Sequence, residues 1–182
     1  MSQPDGFERS DEYLLDRQAT ACKKAGDWDG AVAALYQRKA LLGVQWTDTK
    51  LAKYLQQAGR LDEALAEVQW LVEHSQAWAA ACFAHQSASV MQCQRAGYLV
   101  RVYGDAVLIC KRAKRADLQA QYQQRQDAYN QIRDRLEPLA QADRQRLAKG
   151  WERAVEQGPQ AMQAHLLERK ERIARNRRGE SI

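Results

Sequence analysis

Proline is almost missing from this chain of 182 residues, with 3 in all, and glycine contributes 10. So few breakers argue against a fold built from many tight turns and leave long helices as the default. Cysteine is sparse too: Cys22, Cys82, Cys93 and Cys110 are widely separated and form no CxxC pair. That spacing excludes a disulfide framework and fits a reduced compartment. No apolar run is long enough for a secretory signal or a membrane span, so a soluble, cytoplasmic protein without a membrane partner is expected. The chemistry-bearing motifs are absent as well. The three histidines (His74, His85, His165) are scattered, and there is no GxSxG, HExxH, phosphate-binding loop or dinucleotide glycine fingerprint. The expectation is a protein that is not an enzyme and uses no cofactor or metal.

What the chain does have is helix-forming material. Ala, Gln, Leu, Arg, Glu and Lys dominate, and five Trp with seven Tyr supply bulk for a core. The predicted class is all-α. The net charge of +5 is unevenly spread: residues 1–94 carry 9 Lys/Arg against 12 Asp/Glu, residues 95–136 carry 9 against 4, and residues 137–182 carry 10 against 7. An acidic front and a basic back imply surfaces with different partners.

Two similar stretches organise the first half. Ala25-Gly26-Asp27-Trp28-Asp29-Gly30-Ala31 and Ala58-Gly59-Arg60-Leu61-Asp62-Glu63-Ala64 repeat at an interval of 33 residues. Residues 1–9 have no periodicity and read as a loose end. Ser10 is placed to cap a first helix carrying Leu15, Ala19 and Cys22, which Gly26 ends in a left-handed conformation. Asp27 caps a second helix from about Trp28 to Leu42. Thr47 is predicted to cap a third, with Trp46 and Leu51 as a hydrophobic staple, and Gly59 to stop it. A fourth carries Leu61, Ala64, Leu65, Val68, Leu71 and Val72 inward.

A small residue before a turn Gly, a large apolar residue two positions on and an Ala five on resemble the tetratricopeptide repeat, about two repeats over residues 12–75. The chain differs in lacking the Trp-Leu-Gly opening and the closing Pro, and its period is one residue shorter. The resemblance implies stacked helical hairpins and a concave face that binds a peptide or helix of another protein. On that face it implies Tyr13, Asp16, Thr20 and Lys23 from one repeat, and Trp46, Thr49, Lys53 and Gln56 from the next. The implied role is that of a non-catalytic adaptor, chaperone or regulator.

Beyond residue 75 the period fails. Residues 76–115 read as a degenerate third unit that contains a third Ala-Gly pair, Ala96-Gly97. Residues 116–182 read as a Gln-rich, basic helical extension. In it Leu118, Tyr122, Arg125, Tyr129, Ile132 and Leu136 form a narrow seam, and Glu137-Pro138 breaks two antiparallel helices apart. A last helix begins near Pro159, and its end from Arg172 onward is expected to be frayed. A second copy of the chain, joined through these C-terminal helices, is a further expected partner.

Two other constellations need weighing. Cys82 and His85 are three apart and share a helical face, but Cys93 lies ~16 Å farther along a continuous helix, too far for one ion, so structural thiols are expected. Lys111, Arg112, Lys114 and Arg115, with Arg169, Lys170, Arg172, Arg175, Arg177 and Arg178, form two basic clusters able to bind anions. They support an alternative in which the basic half touches nucleic acid, although Asp117, Glu168 and Glu171 interrupt the charge.

Overall fold

The computed structural model describes residues 10–178, and these are all-α: no strand occurs among the described residues. The helices are α1 (Asp11–Lys24), α2 (Trp28–Leu42), α3 (Lys50–Gln57), α4 (Leu61–Phe83), α5 (Ala88–Arg112), α6 (Ala116–Gln157) and α7 (Pro159–Arg178), with a 3-10 turn at Gly43–Gln45. No described helix is long and apolar enough to cross a membrane. The chain forms two compact units, one extending through Glu73 and including Val102–Tyr122, the other comprising His74–Arg101 and the chain from Gln123 onward. The division expected after residue 75 therefore falls inside a helix, α4. Residues 1–9, expected to be loose, lie outside the described residues, as do residues 179–182.

The first unit starts as the sequence predicts. Ser10 Oγ accepts from the Tyr13 N–H at 3.3 Å, and Asp27 Oδ1 accepts from the Gly30 N–H at 2.9 Å, so both helices have their side-chain caps. Gly26 and Gly59 have φ of +78° and +80°. After each, an N–H reaches back over the helix end: Asp27 to the Cys22 carbonyl and Arg60 to the Leu55 carbonyl, both at 2.9 Å. This is the closing bond of a Schellman cap. The same bond recurs a third time, Arg115 N–H to the Cys110 carbonyl at 2.9 Å, around Lys114 with φ of +56°. The third turn of this geometry is thus at Lys114 and not at Ala96-Gly97, which lies inside α5. The residue types do not announce this turn, because its left-handed residue is a lysine. Ala31, Leu35, Leu51, Leu55, Ala64 and Leu71 are fully buried, and Trp28 meets Tyr54 edge-on at 6.0 Å.

α3 begins later than expected. Lys50 is its first residue, Thr49 precedes it without a side-chain cap bond, and Asp48 Oδ1 accepts from the Lys50 N–H at 2.8 Å. Asp48 takes the capping task assigned to Thr47 because its carboxylate is the stronger acceptor and stands two residues before the free N–H.

The second unit packs around Val90, Met91, Cys93, Leu99 and Ala140. The predicted break at Glu137-Pro138 does not occur, since α6 is continuous through Pro138. The ring removes one helical N–H, but contacts on either side hold the turn. Leu136 and Ala140 pack with Val90 and Cys93. Glu137 accepts from the Cys93 thiol at 3.0 Å and from Arg144 at 2.8 Å. The end of α7 is not frayed through residue 178. Asn176 is 1 % exposed, and its amide donates to the carbonyls of Ala84 and Gln86 at 2.8 and 2.9 Å. Those carbonyls belong to the α4–α5 turn, which separates Cys82 from Cys93 and replaces the continuous helix on which their spacing was judged. The turn ends α4 where Phe83 and Trp78 pack edge-on at 5.3 Å and Trp78 meets Tyr98 at 4.6 Å.

Candidate partner-binding face

In the first unit a chain of polar contacts joins α1, α2, α3 and the C-terminal part of α5. Lys50 Nζ of α3 donates to Asp16 Oδ1 and to Thr20 Oγ1 of α1, both at 2.9 Å. Arg38 of α2 donates to Asp16 at 3.2 Å, to Asp48 at 2.9 Å and to Glu12 at 3.0 Å. Next to it along α3, Thr49 donates to Asp105 of α5, and Lys53 Nζ lies 3.2 Å from the same carboxylate. Burial pulls the Arg38 guanidinium down in pKa, but its hydrogen bonds to Glu12 and Asp48 outweigh that, and it is held above its ordinary value.

This ladder unites several of the residues predicted for the face. Asp16 and Thr20 meet through Lys50, and Thr49 meets Lys53 through Asp105. Lys23 lies over the Tyr54 ring with Nζ 4.7 Å from its centre, and Lys50 Nζ is 5.6 Å from the same centre. Gln56 Oε1 is buried and has no hydrogen-bond partner. Tyr13 is half-buried near the start of α1, with the Arg17 guanidinium 5.8 Å from its ring centre. Two residues do not suit a contact surface. Thr49 is 5 % exposed and Trp46 is 1 % exposed. Trp46 turns its indole N–H to Glu67 Oε1 at 2.8 Å, so it belongs to the core instead of the groove. Its bulk favours burial, and a carboxylate waits there to satisfy its one donor.

Arg38, Lys50 and Asp105 were not predicted, yet they tie the face together. Arg38 carried a signal: it falls on the same helical stripe as Ala31, Leu35 and Leu42, where a cation is out of place unless paired. Glu67 sits among Ala64, Val68 and Leu71 in the same way, and it pairs with Lys39 at 2.5 Å.

The basic residues divide. Lys111, Arg112 and Lys114 are exposed at the end of α5, whereas Arg115 pairs with Asp117 at 2.9 Å. On α7, Arg169, Lys170, Arg175, Arg177 and Arg178 are exposed, while Arg172 is half-buried and donates to the His85 carbonyl at 3.4 Å. Among the described residues no group of three or more His, Cys, Asp or Glu is placed to hold a metal ion. Comparisons with protein families, with curated proteins and with solved structures give no match to this chain.

Proposed function

We propose that this chain is a non-catalytic protein-binding module, an adaptor, chaperone or regulator, that takes a peptide or helix of another protein on the face of α1, α3 and the end of α5. The observation that carries this reading is the convergence of three helices on one polar ladder, through Asp16–Lys50 and Lys53–Asp105. Support for a tetratricopeptide-like arrangement comes from the three equivalent Schellman turns at Gly26, Gly59 and Lys114. The complete burial of Ala31 and Ala64, small residues that let helices approach closely, adds to it.

The ladder also limits the partner. Its carboxylates (Glu12, Asp16, Asp48, Asp105) are matched by Arg38, Lys50, Lys53 and Lys23, which leaves little net charge to attract a strongly acidic segment. Affinity capture with the full-length protein, its Tyr13→Ala and Lys53→Ala variants and a nuclease-treated sample tests this. Reduced capture by both variants, insensitive to nuclease, supports the face; undiminished capture rejects it.

Nuclease-sensitive partners would instead favour nucleic-acid contact. Lys111, Arg112 and Lys114 support that reading, being exposed and in no ion pair among the described residues. Leu139 and Leu167, each 59 % exposed on α6 and α7, support a second copy of the chain as an additional partner. A monomer by light scattering at micromolar concentration rules that out.

A further inference from the structure

The second unit holds a recess of about 280 Å³ between the α4–α5 turn and helices α6 and α7. His85 lines it from the turn, Trp151 from α6, and His165, Leu166, Arg169 and Arg172 from α7. Trp151 and His165 lie with ring centres 5.6 Å apart and ring planes tilted by 55°, and Trp151 keeps 39 % of its surface exposed. Arg169 and Arg172 are one helical turn apart, so both project from the same side of α7.

The electrostatics of this recess are unbalanced. Arg172 Nε is buried without a hydrogen-bond partner, and among the described residues neither Arg169 nor Arg172 is in an ion pair. Burial is the largest influence on Arg172 and lowers its pKa; Arg169 lowers it further, Glu168 opposes this, and Arg175 adds a smaller lowering effect. A partly desolvated guanidinium beside a cationic neighbour is costly unless an anion offsets the charge. Guanidinium forks match the oxygens of a phosphate, and an indole with an adjacent leucine offers a platform for a flat ring. The volume of about 280 Å³ lies just below the ~300–1,000 Å³ range of small-molecule pockets, which limits an occupant to about one ring system and one phosphate.

We propose that this recess binds a small heterocyclic phosphomonoester of mononucleotide size, with its phosphate on Arg169 and Arg172 and its ring on Trp151. The site is separate from the partner-binding face and its success does not depend on that reading. Isothermal titration of the full-length protein at low salt tests it, with adenosine 5′-monophosphate, adenosine, inorganic phosphate and a short oligothymidylate as probes.

The monophosphate is expected to bind at least tenfold more tightly than inorganic phosphate or adenosine. Arg169→Gln, at an exposed position with no ion pair among the described residues, is expected to weaken it at least tenfold while leaving the melting curve unchanged. Arg172→Gln should weaken it as well, and Trp151→Leu should bring the monophosphate down to the affinity of inorganic phosphate. The proposal is overturned if the monophosphate gives no heat at millimolar concentration, if it binds no better than inorganic phosphate, or if Arg169→Gln leaves its affinity unchanged. Oligothymidylate binding in place of the monophosphate would overturn it in favour of a nucleic-acid surface.

Discussion

The indole N–H of Trp46 donates to Glu67 Oε1 at 2.8 Å across two fully enclosed side chains, while the other oxygen of Glu67 receives Lys39 at 2.5 Å. Lys39 also lies 3.6 Å from the centre of the Trp70 ring. One buried carboxylate thus joins α2, the loop before α3, and α4. Trp46→Phe keeps the bulk and removes the donor, which should destabilise the first unit by about 1–3 kcal/mol, the usual cost of stranding a buried acceptor. Glu67→Ala, which strands Lys39 and the indole together, should cost more, about 3–5 kcal/mol. Urea unfolding of both variants measures these; a Trp46→Phe midpoint equal to wild type would show that the bond contributes nothing.

At Lys114 a long side chain occupies a left-handed turn that glycine fills at Gly26 and Gly59. A non-glycine residue in this region is strained by roughly 1–2 kcal/mol. Lys114→Gly should recover part of that, raising stability by about 0.5–1 kcal/mol, and Gly59→Ala should lower it by a similar or larger amount. Thermal melts of the two variants should shift in opposite directions.

Pro138 interrupts the hydrogen bonding of α6 without ending it. Pro138→Ala restores the N–H and removes the clash with the preceding turn, so it should stabilise the protein by about 1–3 kcal/mol. No change in the denaturation midpoint would mean that the surrounding backbone has fully adapted to the ring.

These cases show which parts of the fold are legible in the residues. Gly26, Gly59, Ser10 and Asp27 announce their turns and caps because each does so through local chemistry. Lys114 and Pro138 mislead for the opposite reason. Each holds a backbone state against the preference of the residue itself: the turn around Lys114 is closed by the Arg115 N–H on the Cys110 carbonyl, and the helix around Pro138 is held by the contacts of Leu136, Glu137 and Ala140. The contacts among the residues expected on the face were not legible in the spacing: Asp16 meets Thr20 through Lys50, and Thr49 meets Lys53 through Asp105, which is 52 residues from Lys53 along the chain. Helical spacing orders residues within an element and cannot show which distant carboxylate an amine will find.

At the start of α6, Asp117 is held down to about 2 by its hydrogen bonds from Arg115. A carboxylate with a lowered folded-state pKa adds stability above its ordinary value near ~3.9, and that contribution disappears as pH falls toward the folded value. The difference in melting temperature between wild type and Asp117→Asn should therefore be constant from about pH 7 to pH 5 and shrink between about pH 4 and pH 2. Since both side chains are about half exposed, the effect should be small and should weaken with salt.

Cys93 is buried, and burial together with the Glu137 carboxylate pushes its thiol up to about 11. Near pH 8 only about one molecule in a thousand carries the reactive thiolate there. Alkylation mapped by mass spectrometry should leave Cys93 unmodified in the native protein, and Glu137→Gln should speed its labelling. Equal rates in the two proteins would remove Glu137 as a cause.

The proposed partner-binding face is tested most directly by site-specific photocrosslinking in extracts of the native host. A benzophenone amino acid at Tyr13 or Gln56 should give a discrete protein adduct, insensitive to nuclease. The same probe at Asp29, whose side chain is 96 % exposed on α2, should give none. An adduct at Asp29 with none at Tyr13 or Gln56 would contradict the account.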